Sequence, residues 1–183
     1  MFANGHVLSE IDRADPTMTY LQSTQIFRNQ GGGRFADISA QAGPDVRRKI
    51  VGRGIAIGDF NADGRLDLLI VDDEGAPLLL RNDDRSGNHW LALRCVRPPG
   101  PSDAVGARVT VTAAGRKQVA EVRAGGSYLS TNAPEVHFGL GAAAQADNVE
   151  ICWPDGRTRR FAAVTADHLY RVTPTDRKPR LLR

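Results

Sequence analysis

The sequence predicts an all-β chain, and three observations carry that reading. Short runs with apolar and polar residues in alternation recur throughout, as in "HWLALRCV" (89–96), "ARVTVTA" (107–113), "KQVAEVRA" (117–124) and "DNVEICW" (147–153). A period of two lets one face of a strand meet a core while the other meets water. Gly (19) and Pro (10) punctuate the 183 residues densely, which fits short strands joined by tight turns. Long stretches with the 3.6-residue period of an amphipathic helix are missing; one short helical candidate lies around Phe161 to Leu169.

From the N-terminus, "QIFRNQGGGRFADIS" (25–39) and "PLLLRNDDRSGNHWLAL" (77–93) share an apolar pair, an Arg-Asn step and a polar turn. Phe27-Arg28-Asn29 aligns with Leu80-Arg81-Asn82 at an offset of 53 residues. A strand–loop–strand unit recurring at this period suggests four-stranded propeller blades. One period and a fraction of another falls short of the about four to eight blades that close a propeller, so this half reads as incomplete on its own.

Between the apolar runs "GIAI" (54–57) and "LLIV" (68–71) stands "GDFNADGRLD" (58–67). Counting from Asp59, side-chain oxygens fall at the first, third, fifth and ninth positions: Asp59, Asn61, Asp63 and Asp67. Gly64 permits a sharp turn, and Arg65 can offer its backbone carbonyl. Oxygens converging from alternate residues are how a short loop wraps a hard cation, and a flexible all-oxygen loop suits Ca²⁺ better than octahedral Mg²⁺. An EF-hand is excluded, because its twelfth position is a bidentate Glu where Ile70 stands here, and its flanks are helices. Paired-carboxylate catalysis is a second alternative, and a turn that only caps backbone groups is a third. The metal reading is preferred because three carboxylates gathered without a counter-ion repel one another.

The stretch 52–82 resembles the FG-GAP, or VCBS-type, repeat of β-propellers. That resemblance implies Ca²⁺ held by Asp59, Asn61, Asp63, the carbonyl of Arg65, and Asp67, in a loop joining two strands of a blade. Residues 88–94 and 103–158 resemble the ASPIC/UnbV domain. Its landmarks stand in order: His89-Trp90-Leu91, Gly106-Ala107-Arg108-Val109, Gly126-Ser127-Tyr128-Leu129-Ser130, His137-Phe138-Gly139-Leu140-Gly141 and Trp153-Pro154-Asp155-Gly156. "PGPSDA" (99–104) departs from the family pattern before its Asp-Ala. The expected organisation is a C-terminal portion of a propeller over 1–83, a β-sandwich-like ASPIC/UnbV domain over 84–175, and a basic flexible tail over 176–183.

Charge supports two different halves. Residues 1–83 hold 9 Lys+Arg against 12 Asp+Glu, and residues 84–183 hold 15 against 9. A whole-chain charge of +3 does not make a nucleic-acid binder, and no run approaches the ~20 apolar residues that cross a bilayer. The first residues lack the basic patch and apolar core of a secretory signal, so extracytoplasmic placement is what the resemblance implies. Two cysteines make no disulfide framework; alternation turns Cys95 inward and Cys152 outward. Four histidines lack zinc spacing, and "GLGAAAQ" (139–145) does not sit in a strand-to-helix dinucleotide turn. Trp90, Tyr128 and His137 are candidates for a ligand-binding aromatic face, directed at a glycan or a protein. The resemblance supplies no reaction. The expected function is a calcium-binding extracellular interaction or adhesion module whose partners include the remaining blades. The alternative is part of a secreted hydrolase with its site between propeller and C-terminal domain.

Overall fold

A computed structural model describes residues 1–100 and 102–183; Pro101, in the departing "PGPSDA" stretch, lies outside the described residues. Strands hold 47% of the chain and helix 5%, as the alternating runs require. Two compact units are present. Unit 1 comprises Met1–Phe60, Leu66–Asn82 and Gly125–Asn132; unit 2 comprises Asn61–Arg65, Asp83–Ala124 and Ala133–Arg183. A single cut near residue 83 therefore misses two short exchanges. The tip of the acidic loop belongs with the second unit, and the "GGSYLSTN" segment (125–132) with the first.

Unit 1 is built from small sheets: β1 (Gln22–Ser23) with β4 (Lys49–Ile50), β2 (Phe27–Gly31) with β3 (Arg34–Asp37), and the antiparallel ladder β5 (Gly52–Gly58), β6 (Asp67–Asp72) and β7 (Leu78–Leu80). One short helix, α1 (Ile11–Ala14), precedes them. The Arg-Asn repetition does not recur as structure, since Arg28 and Asn29 lie within β2, which Phe27 opens, whereas Leu80 closes β7 and Arg81 and Asn82 follow it outside a strand. The "LLIV" run alternates as a strand must: Ile70 is fully buried, whereas Leu69 and Val71 remain 41% exposed and the facing Leu79 44%. The 125–132 segment packs on β5. Asn132 Oδ1 accepts the Ile57 N–H at 2.9 Å, and the Leu129 carbonyl lies 2.8 Å from where a Cβ on Gly54 would stand, so only glycine fits there.

Unit 2 is a sandwich of two sheets. One runs β11 (Arg116–Glu121), β10 (Arg108–Ala113), β13 (Gln145–Cys152), β14 (Thr158–Thr165); the other runs β12 (Val136–Gly141), β8 (His89–Arg97), β15 (His168–Val172), β16 (Arg180–Leu181), with β9 (Ser102–Asp103) on the end of β8. Both sheets send their apolar side inward. Leu91, Leu93, Cys95 and Phe138 from one share a core with Val109, Val111, Val149, Ile151, Phe161 and Val164 from the other, and Trp153 joins them at 2% exposure. Each such side chain contributes roughly 1.5–3 kcal/mol by leaving water. Central strand β8 also buries Ala92 and Val96 on its other side, between antiparallel β12 and parallel β15.

Two expectations are corrected here. Residues 161–169 are not helical: β14 and β15 occupy the span. Phe161 and Val164 both face the core although three positions apart, a spacing that imitates a helix. The change falls at Ala163, whose φ is +50°: the ladder between β13 and β14 skips Ala163 and the facing Asp147 while its register continues unshifted, and Ala146 and Val149 on β13 are likewise buried three positions apart. Nor is 176–183 a free tail. Asp176 is buried, accepts the Thr173 N–H at 2.9 Å and pairs with Arg180 at 3.3 Å, and β16 adds to the edge of β15. The two cysteines are free as expected, Cys95 buried and Cys152 exposed. Burial pushes the Cys95 thiol up to about 12, which keeps it protonated and inert. Among the described residues no helix is long and apolar enough to cross a membrane.

Candidate functional site

The acidic loop connects β5 to β6, so strands flank it on both sides as the sequence requires. The ladder pairs Gly58 with Asp67 and thereby brings the first and last donors of the loop to its neck. At the tip, Ala62 (φ +63°) and Gly64 (φ +84°) adopt left-handed backbone that turns the chain back within a few residues.

Asp67 is 2% exposed. Its Oδ2 accepts the Phe60 N–H at 2.9 Å and its Oδ1 the Asn82 N–H at 2.7 Å. No Lys, Arg or His side chain among the described residues pairs with this carboxylate. A buried negative charge held only by backbone amides favours a nearby cation.

Asp63 is anchored differently. Its Oδ1 accepts the Arg65 N–H at 2.9 Å, and its Oδ2 accepts from the Asn61 amide at 2.6 Å and the Arg65 guanidinium at 2.5 Å. Burial pushes its pKa up, but the Arg65 N–H, the Asn61 amide and the Arg65 charge together hold the carboxyl below the usual range. It is therefore ionised at neutral pH.

The loop thus supplies three carboxylates, an amide oxygen and a backbone carbonyl, all hard oxygen donors suited to Ca²⁺. Among the described residues, however, no three His, Cys, Asp or Glu side chains converge as a metal-holding group. Asp63 and Asp67 face protein donors instead, and the Arg65 guanidinium stands on Asp63 where a cation would act.

Two aromatic residues brace the tip from within unit 2. His137, on β12, donates from Nε2 to the Gly64 carbonyl at 2.8 Å, and its ring stacks on Trp90 of β8 with centroids 5.6 Å apart and planes 8° from parallel. A Cβ on Gly64 would lie 2.0 Å from Cε2 and Nε1 of that indole. Trp90 and His137 are thus brought together, whereas Tyr128 belongs to unit 1 and is 66% exposed.

Sequence reasoning did not find the pairing of His89 with Asp167, which lies 78 residues away. His89 Nδ1 meets Asp167 Oδ2 at 2.6 Å, Asp167 Oδ1 accepts the Trp90 N–H at 3.2 Å, and the Asp167 N–H reaches the Trp90 carbonyl at 2.7 Å. It clips the start of β8 to the turn between β14 and β15. The only sequence signal was an Asp two residues after a strand end, and Asp167 adopts the positive φ such turns use.

Comparison with known proteins places this architecture. Residues 17–92 match the FG-GAP-like repeat, and residues 98–179 match the family described as ASPIC and UnbV. The chain therefore combines an FG-GAP-like repeat with an ASPIC and UnbV domain. It is similar to cartilage acidic protein 1 from Homo sapiens, 36% identical over 112 residues that cover 58% of this chain and 16% of that protein. The Xenopus tropicalis protein of the same name is 35% identical over 120 residues, 62% of this chain and 17% of that one. The chain spans about one sixth of the length of these relatives.

Proposed function

We propose that this chain is a calcium-binding, non-catalytic interaction module of an extracellular protein, with the ion in a structural role at the β5–β6 loop. The observation that carries this reading is Asp67: a buried carboxylate, held by two backbone N–H groups, at the neck of a nine-residue loop of hard oxygen donors. Asp59, Asn61, Asp63, the Arg65 carbonyl and Asp67 would hold the ion, which neutralises their charge and fixes the turn. Because the Arg65 guanidinium occupies Asp63, ion binding competes with that ion pair. Weak affinity follows, of the order of 10⁻⁴–10⁻³ M, which is the range of extracellular modules bathed in calcium. Likeness to cartilage acidic protein 1 supports the extracellular placement. The half-exposed stripe of Leu69, Val71 and Leu79 is the face that further blades, or a protein partner, would cover.

A thermal melt tests the reading. Calcium at ten times its Kd should raise the melting temperature, by mass action worth about 1.4 kcal/mol, and a chelator should reverse the rise. Asp63→Ala should melt alike with calcium and with chelator. A mutant that still responds as the parent does would move the ion to another site.

A further inference from the structure

We infer that a basic groove of unit 2, between the edge strand β14 and the turn that follows β15, binds an acidic, sulfated polysaccharide. The inference rests on the reading of the chain as an extracellular interaction module and gives that module a partner chemistry. It does not depend on calcium.

The groove measures about 880 Å³, within the range of roughly 300–1,000 Å³ that takes a small ligand or a short stretch of a longer one. Strand β14 forms one bank with Thr158, Arg159 and Arg160, and the turn forms the other with Thr175 and Arg177. β14 ends its sheet, so no strand among the described residues pairs along its outer side. Across the ladder Arg159 stands opposite Ile151 of the core, and Arg160 opposite Glu150 on the other side of the sheet. The two arginines therefore straddle the edge strand, and an anionic chain lying along it meets a guanidinium on each side.

Positive charge in the groove is only partly balanced. Arg160 is paired with Glu150. Arg159 Nε donates to the Pro174 carbonyl at 2.5 Å, a contact that aims the guanidinium without neutralising it. Asp176, the one acid in the lining, is 8% exposed and already engaged by the Thr173 N–H and by Arg180. Arg177 and its neighbour Lys178 are exposed, and among the described residues no acidic side chain pairs with either.

Guanidinium forks grip sulfate and carboxylate oxygens bidentately, and a threonine hydroxyl on each bank can exchange hydrogen bonds with sugar hydroxyls. An acidic peptide fits less well. A strand added to an edge is selected through pockets for its alternate side chains, and the one apolar residue of the lining, Phe161, is 6% exposed. Extracellular placement selects a polysaccharide over a nucleic acid as the polyanion. Charged side chains also guard edge strands against pairing with other chains, but that role calls for neither a second basic bank nor a pinned guanidinium.

The experiment titrates a fluorescent heparin octasaccharide into the full chain in the presence of a chelator. Competitors are the desulfated octasaccharide and a single-stranded oligonucleotide of equal charge. The parent should bind, less tightly as salt screens the contact, and the desulfated sugar should compete poorly. Arg159→Gln and Arg177→Gln should each weaken binding about tenfold, the effect of losing one charge-assisted hydrogen bond. Arg177 pairs with no acid in the fold among the described residues, so its variant reports on the groove even if Arg159→Gln unfolds. Arg116→Gln combined with Lys117→Gln removes two exposed charges from β11, at the other edge of the same sheet, and should bind as the parent does.

No binding by the parent, an unaffected Arg177→Gln, or an equal loss in the β11 control overturns the inference. So does a desulfated sugar that competes as well as the sulfated one, or an oligonucleotide that binds more tightly. Failure of calcium to bind would overturn the ion's structural role and leave every one of these outcomes readable, because the titration is made without the ion.

Discussion

Replacing Gly64 by alanine is expected to destabilise the folded chain by about 2–5 kcal/mol. Two costs add. The residue sits at φ +84°, where an L side chain costs roughly 1–2 kcal/mol. The new methyl would also stand 2.0 Å from Cε2 and Nε1 of Trp90 and 2.4 Å from Cζ2. Relieving that clash moves an indole stacked on His137, and overpacking of this kind typically costs about 1–3 kcal/mol. Gly87→Ala is the matched control, because Gly87 also has positive φ (+70°) but meets nothing within 4 Å of a built Cβ. It should show the backbone cost alone. Urea unfolding of both variants, with unchanged m-values, measures the difference. Equal midpoints for the two would mean that the turn has room and that the indole does not read residue 64.

Asp67→Ala should cost about 2–4 kcal/mol even in the presence of a chelator. The carboxylate is 2% exposed and satisfies the Phe60 and Asn82 N–H groups together. Deleting it removes the shared acceptor of two part-buried N–H groups, and an unsatisfied buried donor costs about 1–3 kcal/mol. Asp67→Asn keeps one oxygen acceptor and turns an NH₂ toward the other N–H, so its loss should be intermediate. Working in chelator separates this scaffold role from any contribution of the ion. A parent-like unfolding midpoint for Asp67→Ala in chelator would mean that water replaces the carboxylate and that the neck of the loop is open.

Much of this architecture was legible because β-strands write their burial into the sequence at period two. Val109 and Val111, or Leu91, Leu93 and Cys95, could be assigned to a core from alternation alone, and all of them lie in the sandwich interior. The acidic loop was legible because its donors are close in sequence and its flanks are strands. What failed was non-local or depended on a single dihedral angle. Ala163 carries no signal for the positive φ at which the burial of β14 changes side, and Phe161 and Val164 imitated a helix. The tail residues 176–183 look solvated by composition, yet Asp176 is fixed by Thr173 and Arg180 before β16 pairs. The bracing of Gly64 by Trp90 and His137 joins residues 26 and 73 positions away, and nothing at either end announces it.

The most direct measurement is a calorimetric titration of Ca²⁺ into the chelator-stripped chain, run beside Asp63→Ala. One saturable site is expected on the parent, with an affinity of the order of 10⁻⁴–10⁻³ M, and no heat beyond dilution on the variant. Dilution heat alone from the parent, or identical isotherms from the two proteins, would contradict it.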